Sequence, residues 1–194
     1  MSNVLIKSSN GTNSVGLETF MLSKRRIVIR GEINEDVAIE LAEKIMYLEE
    51  ESDEEIQIWI SSVGGEIQTG LAILDVIQAF DNIIIVGIGH IYSMASVILS
   101  AGKKGKRYLL PNTEVMIHEP LLGGKVDGTM SSLSQITDRL QIKKKIVNTM
   151  IAEHTGHTLE EINNKTKNDH YFTSEEAIEF GLADKVVSFS DLRR

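Results

Sequence analysis

The sequence predicts an α/β domain, and three observations carry that prediction. Runs of β-branched residues recur along the chain, and each is followed by a stretch with helical apolar spacing. One run, IIIVGI (83–88), is apolar at almost every position, as expected of a strand covered by helices on both faces. Glycines punctuate the junctions between the two kinds of segment.

The elements follow in order. Residues 1–20 are rich in Ser, Asn and Gly and show little periodicity, which predicts a mobile arm or loop with a little strand. A single domain is expected over 21–194, with no internal linker. RIVIR (26–30) is a strand closed by Gly31. Asn34 then caps a helix whose Ala38, Leu41, Ala42, Ile45 and Leu48 share one face. The acidic EEESDEE (49–55) reads as a solvated link. Ile56, Ile58 and Ile60 alternate with polar residues and Trp59, the pattern of a half-buried strand. Gly64-Gly65 leads into a helix with Ile67, Leu71, Leu74 and Ile77 inward. After 83–88, a helix starts near Ser93 and stops at Gly102. Residues 106–110 and 114–118 read as strands joined by a Pro111-Asn112 turn. GGKVDG (123–128) is a glycine-bounded loop or edge strand. A long helix, about 130–154, follows, with Leu133, Ile136, Leu140, Val147 and Met150 on one face and its end at Gly156. Thr158 with Glu161, and Thr173 with Glu176, announce two short capped helices, the second closing at Gly181.

Composition narrows the function. A chain of 194 residues with 42% hydrophobic residues can bury a sizeable core. A formal charge of −8 argues against non-specific nucleic-acid binding, because phosphate neutralisation needs Lys and Arg. The basic clusters Lys104–Arg107 and Lys143–Lys145 read as solvated surface. The absence of cysteine excludes disulfides, thiolate metal sites and a cysteine nucleophile, and it fits a reducing compartment. The first residues lack the basic-then-apolar pattern of a secretory signal, and no apolar run approaches the roughly 20 residues of a membrane span. A cytoplasmic protein without membrane partners is expected.

Three residues stand where chemistry is possible. Ser93 follows a buried strand and the Gly89 turn, and it opens a helix whose free N–H groups face whatever the hydroxyl attacks. It could equally be a helix cap or a packing residue; Ser96 and Ser100, inside the helix, are poorer candidates. His118 ends a strand that Pro120 prevents from continuing, which leaves its imidazole at the exit, although a structural histidine would look the same. Asp169 lies between two short helices, where a carboxylate can orient an imidazole or simply close a turn. Gly64-Gly65 can bring backbone N–H groups close to a ligand and, with the Met94 N–H, form an oxyanion hole. A phosphate cradle is the rival reading, weakened because neither G-x-x-x-x-G-K-[ST] nor G-x-G-x-x-G is present.

Taken together, GHIYSMASVILSAGKKGKRYLLPNTEVMIHEP, SSVGGEI and DHYFTSEEAIEFGLADKV resemble the proteolytic subunits of the Clp serine-peptidase family, over about residues 18–188. The resemblance implies a crotonase-like spiral of β-β-α units, with the helix at about 130–154 projecting as a handle between two stacked seven-membered rings. It implies Ser93 as nucleophile, His118 as base, Asp169 as its orienting carboxylate, and the N–H groups of Gly65 and Met94 as the oxyanion hole. Backbone of Gly124, Lys125, Val126 and Asp127 would pair with an extended polypeptide substrate. A hexameric AAA+ unfoldase would dock at a groove that includes Trp59 and would itself consume the ATP, so that the subunit carries no cofactor and no metal.

Several positions depart from the family pattern. Tyr92 stands where a small residue is common and is expected to narrow the specificity pocket or alter the approach to Ser93. His90 and Glu119 replace glutamines, and a carboxylate beside His118 would favour the imidazolium. Val63 replaces a proline. Lys167 and Asn168 stand where an acidic residue and an arginine usually pair between rings, which predicts weaker ring coupling. Two other readings follow: a weakly active or regulatory ring subunit that assembles with a catalytic paralogue, and an acyl-CoA enzyme sharing the fold.

Overall fold

The computed structural model describes residues 2–8, 11–123 and 127–192. Its framework is a sheet in which β3 (Arg26–Ile33), β4 (Ile56–Gly65), β5 (Ile83–Tyr92), β6 (Arg107–Leu109) and β9 (Lys185–Val186) lie in that order, with β7 (Glu114–Ile117) beside β5 and β8 (His170–Phe172) beside β7. Strands β3, β4 and β5 run parallel. Their register sets Ile27, Ile58 and Ile85 side by side, all buried. The β-branched runs therefore stack on one another in the centre of the core, where their stiff side chains pack best.

Helices α2 (Glu35–Glu51) and α3 (Ile67–Gln78) supply the crossovers. The Asn34 side chain accepts from the Val37 N–H at 3.1 Å, and Glu35 and Asp36 sit in the first turn, where the helix dipole favours them. Leu41, Ile45 and Leu48 are its buried face. The helix reaches Glu51, so the first half of the expected link at 49–55 is helical. Glu49 there takes a hydrogen bond from Asn82 Nδ2 at 2.7 Å. Strand β4 is also not half-buried. Trp59, 9% exposed, belongs to a second apolar cluster with Ile84, Val86, Val187 and Leu192 on the other face. The chain's last described turn, Phe189–Leu192, folds over that face with Phe189 5.5 Å from the Trp59 ring. Alternation misled because this cover comes from residues far along the chain.

Strand β5 is bent. Its first half pairs with β6 (Arg107–Leu109) and its second half with β7 (Glu114–Ile117), both parallel, so the Pro111-Asn112 turn moves the chain from one half to the other. Gly89, at φ +74°, lies between the two pairings. Strand β8 (His170–Phe172) adds antiparallel to β7, and β9 (Lys185–Val186) pairs with β6. Helices α6 (Leu159–Lys165) and α7 (Ser174–Glu179) each begin with the capping box read from the sequence.

The long helix is α5 (Met130–Thr155), closed by Gly156 at φ +84°. Its buried residues, Val147, Asn148, Ile151 and Ala152, all lie in the C-terminal half. Leu133, Ile136 and Leu140 do not enter the core, and Met130 is 85% exposed. The apolar stripe is real, but the described residues leave much of its first half uncovered. The N-terminal segment is more ordered than expected. Strands β1 (Asn3–Ser8) and β2 (Gly11–Gly16) pair as an antiparallel hairpin, and α1 (Leu17–Leu22) straddles the expected boundary at 20/21.

One buried ion pair locks the C-terminal segment to the sheet. Arg107, 2% exposed, donates from Nε and Nη2 to Asp184 at 2.9 and 2.5 Å, and from Nη1 to the carbonyls of Ser100 and Gly181 at 3.0 Å each. Burial raises the Asp184 carboxyl pKa, but the guanidinium and the N–H groups of Arg107 and Gly105 outweigh it and hold the group below the usual carboxylate range. Its contribution to stability is therefore complete above the unfolded pKa of about 3.9 and is lost as pH falls through the depressed native value. Asp184→Asn should cost on the order of 3 kcal/mol in urea unfolding at neutral pH, because it strands a buried guanidinium. It should also remove part of the acid dependence of wild-type unfolding.

Candidate active site

The parallel and antiparallel partners of β7 bring the three candidate residues together. Ser93 follows the end of β5, and its N–H donates to Met116 O on β7 at 2.9 Å. His118 is the residue after β7. On the other side, Ile117 lies opposite His170 in the β7–β8 ladder, so one step further places His118 against Asp169. Residues 25 and 76 positions beyond Ser93 thus meet because one short strand, β7, lies between β5 and β8.

Ser93 Oγ lies 2.8 Å from His118 Nε2. The hydroxyl makes no cap bond to helix α4 (Met94–Ala101), so the capping role open to it in the sequence is not the one adopted. Ser96 and Ser100 bond back to the carbonyls of Ser93 and Val97, as interior helix serines do. Asp169 Oδ1 is 3.4 Å from His118 Nδ1; the carboxylate side chain is 55% exposed, whereas Nδ1 is buried and forms no hydrogen bond among the described residues. The imidazole is thus held tightly on the serine side and loosely on the carboxylate side.

Ser93 adopts φ +54° and ψ −125°, a strained conformation for a residue with a side chain. Gly64, at φ +93°, makes room for it: a Cβ there would stand 2.7 Å from Ser93 Cβ and 2.8 Å from Tyr92 O. Gly65 faces the other way, with no room for a Cβ against the Ile33 carbonyl. Ile33 lies opposite Gly65 in the ladder, and Ile33 O takes its bond from the Glu66 N–H at 3.0 Å. The Gly65 N–H has no part in that rung, and Gly65 lines the cleft. The Met94 N–H is the first of α4, so no helical carbonyl precedes it. The Gly64 N–H is taken by Ser62 Oγ at 3.0 Å, and Ser62 Oγ donates to Gly31 O at 2.6 Å.

These groups open on a cleft of about 830 Å³. Met94, Val97 and Pro120 on the sheet side, and Leu140, Val147 and Ile151 of α5, give it apolar walls. Gly124, Lys125 and Val126 lie outside the described residues. Asp127 is exposed and in no strand. Tyr92 does not line the cleft, contrary to expectation. Its hydroxyl donates to Glu114, which pushes its pKa up to about 12, and its ring meets Tyr171 edge-on at 5.8 Å. The Glu119 carboxylate is paired with Lys144 on α5, in a cluster read from the sequence as solvated surface. No feature of the local sequence joins residues 119 and 144, although Lys144 and Asn148 are spaced to share a helix face.

A strained serine in contact with an imidazole, with a carboxylate behind it and a glycine turn and a helix start beside it, is the arrangement of a serine hydrolase. Comparison with known proteins refines this. The family profile described as Clp protease matches residues 9–190. The ATP-dependent Clp protease proteolytic subunit of Ligilactobacillus salivarius (strain UCC118) is 33% identical over 186 residues, covering 95% of this chain and 93% of that protein. The chain belongs to the Clp protease family and is a serine endopeptidase subunit of an ATP-dependent protease.

Gly64→Ala tests the elbow. The added methyl group must displace Ser93 or Tyr92, and alanine at φ +93° adds strain of about 1–3 kcal/mol. Urea unfolding should show the lost stability, and acylation of Ser93 should fall at least as sharply.

Proposed function

We propose that Ser93 is the nucleophile, His118 the general base and Asp169 the group that orients it. The observation that carries this reading is the 2.8 Å contact between Ser93 Oγ and His118 Nε2 on a strained turn. Oγ attacks the peptide carbonyl as Nε2 accepts its proton. The carbonyl oxygen, now negative, is held by the N–H groups of Gly65 and Met94. The imidazolium then protonates the leaving amine, and water hydrolyses the acyl-enzyme by the same route. Asp169 favours the tautomer with the proton on Nδ1 and stabilises the positive ring as it forms.

The substrate is an unfolded polypeptide, bound extended, with its backbone paired to that of residues 124–127 and one side chain in the apolar part of the cleft. The protease is a ring assembly of two stacked heptamers of this chain. The uncovered apolar stripe of α5 and the exposed Ile39, Met46 and Tyr47 on α2 support burial against further subunits. A hexameric AAA+ unfoldase consumes ATP and docks around Trp59. The Trp59 ring is itself packed, so the exposed Phe189 above it is the contact surface in this state. The peptidase carries no cofactor of its own in this reading, and a cytoplasmic setting fits the cysteine-free sequence.

A fluorophosphonate probe followed by intact-mass measurement tests the site. One adduct per subunit is expected, absent in Ser93→Ala and formed about 10²–10⁴-fold more slowly in His118→Ala. Labelling that persists in Ser93→Ala would overturn the assignment. For docking, Phe189→Glu should leave cleavage of a short fluorogenic peptide unchanged while lowering unfoldase-driven degradation of a folded substrate; equal loss of both would refute the assigned surface.

A further inference from the structure

We propose that the Glu119–Lys144 ion pair is a positioning clamp that ties helix α5 to the exit of β7 and so sets how closely Asp169 approaches His118. The inference rests on the triad reading above and adds a control over it. Glu119 follows His118 directly. Its carboxylate holds Lys144 Nζ, and its backbone N–H donates to Thr166 O at 2.8 Å. Thr166 ends α6 three residues before Asp169. Asn148, one turn after Lys144 on α5 and fully buried, donates to Thr166 Oγ1 at 3.1 Å and to Asn163 Oδ1 at 2.8 Å.

The contacts form a closed circuit: Lys144 to Glu119, Glu119 to Thr166, Thr166 to Asn148, and back along one face of α5. His118 lies at one point of that circuit and Asp169 three residues from another. The catalytic strand and the segment carrying the carboxylate are therefore both referenced to the same helix. The bond left unmade is the one between them, since His118 Nδ1 and Asp169 Oδ1 stand 3.4 Å apart. A shift of a few tenths of an ångström in residues 163–169 is enough to make or lose a hydrogen bond there. The ion pair is partly exposed, so it adds little to global stability. What it governs is placement, and placement errors are costly in rate.

The test compares Glu119→Gln, Lys144→Met and the double exchange Glu119→Lys with Lys144→Glu, in the full assembled protein. The readouts are the fluorophosphonate acylation rate and the final labelling stoichiometry. The clamp predicts that both single variants label about tenfold more slowly yet still reach one adduct per subunit, and that the exchanged pair recovers most of the rate. For peptide cleavage the loss should fall on kcat rather than KM. If Glu119 acted only through its charge on His118, the two single variants would move the rate in opposite directions and the exchange would not rescue it. That result, or wild-type rates in both single variants, overturns the clamp while leaving Ser93 as nucleophile. A wild-type protein that takes no label overturns the triad reading and the clamp with it.

Discussion

The rest of the site depends on the left-handed backbone at Ser93. A residue with a side chain at φ +54° stays there only if the surroundings leave no better choice. Here they do not. The Ser93 N–H is fixed to Met116 O, and every residue of α4 behind it is buried. Gly64 leaves the only space into which the turn fits, and Gly70 does the same for the Met94 side chain, which any Cβ at that position would strike. Burial of one short, mainly apolar helix offsets strain of about 1–3 kcal/mol at a single residue. The hydroxyl is thereby raised off the sheet toward His118 with no freedom to become a helix cap.

The topology then does what the elbow alone cannot. A parallel sheet ends all its strands on the same edge, where ligands bind in open α/β folds. Because β5 is long and bent, its second half is free to take β7 as a new neighbour beyond β6. The antiparallel addition of β8 is the one reversal of direction among the described strands of this sheet, and it returns Asp169 to the edge where Ser93 and His118 already stand. Had β8 paired one residue out of register, its side chains would have exchanged faces and the carboxylate would point away from the imidazole.

Much of this was legible in the sequence wherever structure is local. Asn34, the two Thr–Glu capping boxes, the Gly156 and Gly181 stops and the β-branched runs each act within a few residues, and each appears where it was read. The three site residues were nameable singly, but their convergence was not, because strand order and register are tertiary facts. The same limit explains the misreadings. Trp59 looked outward because its cover arrives from Phe189 and Leu192; Tyr92 looked like a wall of the cleft because its partner, Glu114, lies on another strand. Lys144 looked solvated because a run of three lysines carries no sign of which one has a carboxylate facing it.

Helix α5 has two halves with different tasks, and that division gives the site a physical link to assembly. Its C-terminal half is built into the core by Val147, Ile151 and the buried Asn148. Its N-terminal half leaves Leu133 and Met130 open, an apolar surface that a second subunit would cover. A helix of 26 residues carries a tilt at one end toward the other, because a sharp kink needs a proline, a bulge or an inserted group, and α5 contains no proline. Lys144 and Asn148 sit at the point where the free half meets the anchored half. Contact made by the free half therefore acts first on the two side chains that reference His118 and the Asp169 segment. That order of events bears on the site because the contact of His118 that is not closed, the one to Asp169 at 3.4 Å, is the one whose segment is tied to this helix through Thr166.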